Sequence, residues 1–262
     1  GSKLYNAFWI LRGGKVLHRV LKHELPHKQL FDELRLFDQG PLQGPYSLDG
    51  LRIGSPICED AWWPEVTETL AETGAEILLV PNGSPYHRDK LDLRMGYMVA
   101  RVVETGLPLV YLNSVGGQDD QLYDGASFAL NPGTTGGADK VLQLAPFEEQ
   151  TVHLDFQRTP QGWRAVPGQL DHQPDEWEQD YRAMTEGLRD YMRKSGFRKV
   201  VLGMSGGIDS ALVATIASDA IGPQNVRCVM LPSEYTSQAS LDDAADAATR
   251  LGARLDTVQI EG

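Results

Sequence analysis

Hydrophobic and polar positions alternate or cluster along this chain in ways that predict most of its elements. The apolar stretches 4–11 and 16–21 flank Arg12-Gly13-Gly14-Lys15, the pattern of a tight hairpin. An apolar strand ending at Ile57 follows, then a helix over 64–73 and a buried strand at 77–80. A second helix covers 91–104, stopped by Gly106 and Pro108, and the strand 109–112 returns to the sheet. The stretch 123–130 begins a further hairpin that turns through the Gly/Thr-rich segment 133–137. These alternations predict a mixed α/β layered domain.

The pattern then changes. From Gln157 to Gln179 the composition shifts to Pro, Gln, Gly, Asp and Trp without clear periodicity, which predicts a linker over the surface. Next, Tyr181, Met184, Leu188, Tyr191 and Met192 recur at helical spacing. Beyond them strand 199–204, helix from about 210, strand 226–231, helix 240–251 and strand 255–260 alternate, the order of a parallel, doubly wound sheet. Three strands make a small sheet, so this second unit reads as cut short.

The junction of that first strand and helix carries Ser205-Gly206-Gly207-Ile208-Asp209-Ser210. Paired glycines let the backbone come close to a ligand, and a helix N-terminus offers amides and a positive dipole end, so the loop reads as a phosphate cradle. No lysine follows the glycines, so it is not the Walker loop. The plain alternative is a strand–turn–helix joint with glycines for packing. The hexapeptide resembles that of the N-type ATP pyrophosphatases, which cleave ATP to AMP and pyrophosphate. That resemblance implies ATP held by Ser205, Gly206, Gly207, Asp209 and Ser210, with Mg2+ on Asp209.

Composition narrows the partners. Of 262 residues 41% are hydrophobic and 23% charged, and the formal charge of −12 with pI ≈ 4.9 argues against nucleic acid as an extended partner. Two cysteines are too few for a disulfide scaffold. No apolar run is long enough to span a membrane. The expectation is a soluble cytoplasmic protein with no membrane partner.

Cys58 lies in Pro56-Ile57-Cys58-Glu59-Asp60, at the expected end of an apolar strand, where a thiol before a turn is a plausible nucleophile. A lone cysteine is as readily a packing residue, and Cys228 is read that way. Lys22 and Glu33, taken alone, would be a solvated surface pair. Together, however, Lys22, Glu33 and Ile57-Cys58-Glu59-Asp60 resemble the glutamine-amidase domain of the nitrilase (carbon–nitrogen hydrolase) superfamily. The resemblance implies Cys58 as nucleophile, Lys22 as the oxyanion-stabilising lysine and Glu33 as the carboxylate that orients it. It also implies glutamine contacts from Ser84, Glu59 and Tyr86; turn chemistry alone would explain the Gly and Asn clusters around 82–86 and 113–127 equally well. His23-Glu24-Leu25-Pro26-His27 matches a zinc-peptidase pattern, but Pro26 would disrupt the helix that chemistry needs.

A glutamine amidase followed by an ATP pyrophosphatase is similar to the family of glutamine-dependent NAD+ synthetases. The implied fold is α/β: a partial nitrilase-like α-β-β-α sandwich over 1–156, a linker at 157–179, and a partial doubly wound (Rossmann-like, adenine nucleotide alpha hydrolase) domain over 180–262. The implied chemistry adenylylates deamido-NAD+ with ATP and passes ammonia from glutamine to the acyl-adenylate through a protected passage. Thr236 and Ser237 become candidate nucleotide contacts, and Ser240 a helix N-cap. The amidase general base and the rest of the synthetase are expected outside residues 1–262. His27-Lys28 and Glu234 depart from the family pattern near the two pockets. Alternatives are another glutamine-dependent amide ligase of the same group and a non-catalytic binding module. The family also implies a homo-oligomer.

Overall fold

A computed structural model describes residues 3–27 and 31–260. The chain forms two compact units, Gly1–Val115 with Tyr123–Gln173, and Gly116–Leu122 with Pro174–Gly262.

The first unit opens with β1 (Ala7–Arg12) and β2 (Lys15–Leu21), an antiparallel ribbon joined by Gly13-Gly14. Both glycines have positive φ, the conformation a two-residue hairpin turn demands. Then come β3 (Tyr46–Leu48), β4 (Leu51–Gly54), α1 (Pro64–Glu72), β5 (Ile77–Asn82), α2 (Lys90–Thr105) and β6 (Leu109–Asn113). β7 (Val115–Gln118) and β8 (Gln121–Asp124), paired with each other, carry the Gly116–Leu122 segment that belongs to the second unit; back in the first unit follow β9 (Phe128–Pro132), β10 (Ala138–Gln143), β11 (Phe156–Thr159) and β12 (Gly162–Ala165). One six-stranded mixed sheet runs β10-β9-β6-β5-β4-β3, with β4, β5 and β6 parallel.

Apolar residues at helical spacing explain why α1 and α2 cover one face of this sheet. Val66, Leu70, Met98 and Val102 from the helices pack with Leu78, Val80, Leu109 and Tyr111 from the strands. Each fully buried aliphatic chain contributes on the order of 1.5–3 kcal/mol. Tyr111 stacks on Phe128 with ring centroids 4.8 Å apart. The arrangement is the nitrilase-like layering expected, with one helix layer and one sheet layer among the described residues.

Three expectations are corrected here. β4 stops at Gly54, not Ile57. The stretch 123–130 is not one strand: Gly125 and Ala126 take positive φ and break it, so β8 pairs with β7 while β9 turns into β10. The segment 157–179 is not featureless, because β11 and β12 form a hairpin there. Ala165 is buried against Ala129, Val141 and Leu142, and the Asn131 side chain pins it by accepting its N–H at 2.9 Å and donating to its carbonyl at 2.8 Å.

The second unit contains α3 (Glu176–Ser195), β13 (Val200–Gly203), α4 (Ile208–Ile221), β14 (Val226–Met230), α5 (Gln238–Leu251) and β15 (Arg254–Thr257). The Asp175 carboxylate caps α3 by accepting the Glu178 N–H. That helix buries Thr185 and Met192, whereas Met184 and Tyr191 of the expected stripe face outward. The sheet order β13-β14-β15 is fully parallel, as the alternation predicted. Its core joins Met204, Ala214, Ala217, Val226, Met230 and Ala244, and it includes Cys228, fully buried as a packing residue.

Candidate functional site

In the first unit the chain leaves β2 at Leu21 and places Lys22 under the ribbon, where only 2% of it is exposed. Its N–H donates to the Asn6 carbonyl and its own carbonyl accepts from Gly40, so the backbone is held on both sides. A buried ammonium needs a partner. Glu33, on a short 3-10 turn, supplies it: Lys22 Nζ donates to Glu33 Oε1 at 2.7 Å. The other Glu33 oxygen accepts from Asn6 Nδ2 at 3.3 Å.

Cys58 approaches this pair by an unexpected route. Three residues separate it from the end of β4, and it opens a 3-10 turn (Cys58–Ala61) with φ of +52°. A side chain in left-handed backbone is uncommon and marks a position the fold over-determines. Gly83 lines the cleft around it, with its backbone amide near the sulfur. Burial pushes the thiol above its ordinary pKa, while Lys22 and the Gly83 amide pull it back down. Cys58, Lys22 and Glu33 share a cleft of about 340 Å³ with Asn6, Phe8, Asn82, Gly83 and Tyr123.

The remaining residues predicted from sequence stand outside that lining. Ser84 is buried with its hydroxyl accepting from Arg94 Nε at 3.0 Å and its N–H donating to Asn113 Oδ1 at 2.9 Å. Tyr86 meets Phe147 edge to face at 5.3 Å. Glu59 lies on the 3-10 turn beside Cys58, and burial raises its carboxyl pKa despite Lys22 nearby. Residues 22–27 form no helix, so the zinc-peptidase pattern has no scaffold. Instead His23, Glu24 and Glu65 bring ligand atoms within 4.8 Å of one another, without His27. Lys28 lies outside the described residues.

Two buried ionic groups escaped the sequence reading. Arg94, fully buried on α2, donates to the Ser84 and Pro85 carbonyls at 2.6 and 3.0 Å and to Asp124 at 2.9 Å, clamping the loop that presents Gly83 to the sulfur. Asp60, 1% exposed, accepts the N–H groups of His23, Glu24 and Ile57 at 3.1, 2.6 and 3.0 Å. Burial raises its pKa to about 6 even so. The acid two residues after Cys58 was visible; its three backbone partners were not.

In the second unit the Ser205-Gly206-Gly207 loop joins β13 to α4, which begins at Ile208 rather than at Ser210. The two serines brace the loop internally. Ser210 Oγ accepts the Ser205 N–H at 3.2 Å and donates to the Gly207 carbonyl at 2.9 Å, and Ser205 Oγ accepts the Gly207 N–H at 3.3 Å. Gly206 has φ of +81°, and a Cβ there would stand 2.3 Å from the Ser240 carbonyl oxygen. Glycine is required on both counts. Asp209 is exposed on the first turn of α4, with no hydrogen bond or ion pair among the described residues.

A cleft of about 290 Å³ is lined by Ser205, Met230, Pro232, Thr236 and Ser240 among others; Gly206, Gly207, Asp209, Ser210 and Ser237, also expected at the nucleotide, are not part of its lining. Thr236 Oγ1 accepts the Ser233 N–H at 2.9 Å. Ser237, expected as a nucleotide contact, is the N-cap of α5 and accepts the Ser240 N–H at 3.2 Å. Ser240, expected as the cap, is therefore the third residue of the helix. Glu234 is exposed.

The buried Lys22–Glu33 pair shares its cleft with Cys58, and the chain belongs to the carbon–nitrogen hydrolase family, whose model matches residues 1–149. The NAD synthase model matches residues 180–262. At full sequence scale the chain is 64% identical to the glutamine-dependent NAD(+) synthetase of Rhodobacter capsulatus, over 98% of this chain and 46% of that protein. It is 41% identical to the enzyme of the same name from Xanthomonas campestris pv. campestris, over all of this chain and 47% of that protein. The glutamine-dependent NAD+ synthetase of Acinetobacter baumannii, solved with adenosine diphosphate, superposes with a TM-score of 0.91 at 36% identity, covering 99% of this chain and 48% of that one. The chain thus spans about half the length of the curated relatives it matches.

Proposed function

We propose that this protein forms NAD+ from deamido-NAD+, using ATP to activate the carboxylate and glutamine as the nitrogen source. The observation that carries the reading is the Lys22–Glu33 pair buried in one cleft with Cys58, on the same chain as a glycine loop opening a helix of a parallel sheet. In this reading residues 1–156 act as the amidase and 180–262 carry the ATP-pyrophosphatase chemistry.

The Cys58 thiolate attacks the glutamine carboxamide carbon. The oxygen that gains negative charge is met by the Lys22 ammonium, which Glu33 holds in place. Collapse, with a proton delivered to the departing nitrogen by the general acid that the family resemblance implies outside residues 1–262, releases ammonia and leaves a thioester that water hydrolyses to glutamate. Glu59, Ser84 and Tyr86 stay with this half as candidate contacts and supports of the glutamine pocket.

In the second unit, backbone amides around Gly206 and Gly207 and the α4 N-terminus hold the departing pyrophosphate as the deamido-NAD+ carboxylate attacks the α-phosphorus of ATP. Ser205, Ser210, Thr236 and Ser237 shape or contact the nucleotide. Asp209 fits a magnesium ion: it is an exposed, unpaired carboxylate at the loop, and such ions are commonly held by one or two carboxylates together with substrate phosphates. When bound, the ion neutralises phosphate charge. A cytoplasmic homo-oligomer belongs to the same reading.

The test compares nitrogen sources in Cys58→Ala. Glutamine-supported NAD+ formation falls at least about 10³-fold while ammonia-supported formation stays within about twofold. Retained glutamine use overturns the assignment of Cys58. AMP release that requires an acid other than deamido-NAD+ favours a different amide ligase, and an unaltered protein that consumes no glutamine favours a binding module.

A further inference from the structure

Lys22 and Cys58 come from segments 36 positions apart, neither of them inside a sheet strand. Lys22 follows the end of β2, its backbone held by Asn6 and Gly40. Cys58 opens a short 3-10 turn. The Asn6 and Gly40 bonds do not reach the Cys58 segment, so the register between the two segments needs a separate tie.

Asp60 touches both. Its Oδ1 accepts the N–H groups of His23 and Glu24, the two residues directly after Lys22. Its Oδ2 accepts the N–H of Ile57, the residue directly before Cys58. A carboxylate has lone pairs enough for such a set, and bonds to an ionised acceptor are short and directional. The group is buried, so no water competes for these amides. The Lys22 ammonium favours its ionised form.

We propose that Asp60 is a positioning residue, a single carboxylate that ties the backbone after Lys22 to the backbone before Cys58 and thereby sets the lysine against the thiol. It touches no reacting atom. Its work is transmitted through three amides. The inference rests on the reading of Cys58 and Lys22 as the reacting pair.

Two replacements differ in what they remove. Asp60→Asn keeps the size and one acceptor oxygen, but its amide nitrogen places a donor against a backbone N–H. Asp60→Glu keeps both acceptor oxygens on a longer stem. The readout is alkylation of Cys58 by iodoacetamide as a function of pH, followed by mass spectrometry. It requires neither glutamine nor ATP.

In Asp60→Asn, with circular dichroism confirming the folded state, the inflection of the rate profile moves upward and the rate at pH 7.5 drops about tenfold or more, because the thiolate loses the nearby ammonium. Asp60→Glu recovers part of the rate. An unchanged rate and inflection in folded Asp60→Asn overturn the proposal and leave Asp60 as a structural stop for its own turn. Should neither variant fold, amide NMR of the unaltered protein decides: the His23, Glu24 and Ile57 N–H resonances move together with one midpoint between pH 4 and 8. Separate or absent movement overturns the clamp. A shifted profile in a protein that does not hydrolyse glutamine would sink the proposed function while leaving the clamp standing.

Discussion

The two sites in this chain are built on opposite plans. Around Cys58 the chemistry is made of side chains, and the ions are buried: Lys22, Arg94 and Asp60 are each at most 2% exposed, and each is held by partners at hydrogen-bond distance. Around Gly206 the chemistry is made of backbone, the loop is open, and its two serines spend their hydroxyls on the loop itself. The difference suits the two tasks proposed for them. Bond-making at an amide carbon gains from fixed charges in a low-dielectric recess, where each is strengthened by the absence of water. Gripping a large polyanion needs an open mouth and many donors, which a helix N-terminus and a glycine loop offer without any buried charge.

Breaking the buried plan should cost most. Arg94→Met removes one partner of the Arg94–Asp124 pair and strands a buried carboxylate. We expect a loss of about 3–5 kcal/mol in urea unfolding, with the Ser84 loop freed and Cys58 alkylation altered even in protein still folded. A loss below about 1 kcal/mol would mean that Asp124 finds water, and that this region is less dry than its burial implies.

Next in size is a pH effect. The folded state holds the Asp60 proton more tightly than the unfolded chain does, since its pKa rises from 3.8 to about 6. Folding therefore takes up a proton between those values, and the contribution of Asp60 to stability is greatest at low pH and is lost as pH climbs from about 4 to about 6. Two units correspond to about 3 kcal/mol at most. Measured side by side at pH 4.5 and 7.5, the unaltered protein should lose stability relative to Asp60→Asn on going to the higher pH; parallel pH profiles would contradict it.

The smallest effect is expected at the open site. Gly206→Ala forces a methyl group against the Ser240 carbonyl and a side chain into left-handed backbone, costing about 2–3 kcal/mol. Adenylylation measured by pyrophosphate exchange should fall sharply while iodoacetamide still modifies Cys58 at its normal rate. Parallel loss of both would show that the two plans are not separable.

How much of this was legible varies with the kind of signal. Hairpins, helices and the parallel alternation followed from periodicity and from Gly and Pro stops, so β1 and β2, α1, α2 and the second sheet stood where expected. The β11–β12 hairpin was also there to be read, since Thr159-Pro160-Gln161-Gly162 is a turn between Phe156 and Trp163. The Pro/Gln/Gly composition hid it. Cys58, Lys22 and Glu33 came together because their types matched a known chemistry; nothing local foretold the left-handed turn that delivers the thiol. Arg94 and Asp60 resembled surface charges, because their partners are backbone atoms or an acid 30 residues away. In α5 the serine spacing was right but the cap was displaced by one turn's worth of residues, from Ser240 to Ser237, since both precede the same apolar stripe.

The left-handed cysteine has a consequence for durability. A glycine would sit at φ of +52° without objection, whereas any residue with a Cβ is held there against its preference by the surrounding packing. Reactivity and robustness therefore pull in opposite directions at position 58. The sturdiest occupant of that turn is the one with no nucleophile at all, and the protein carries a small permanent handicap at the point where its amide chemistry is proposed to take place.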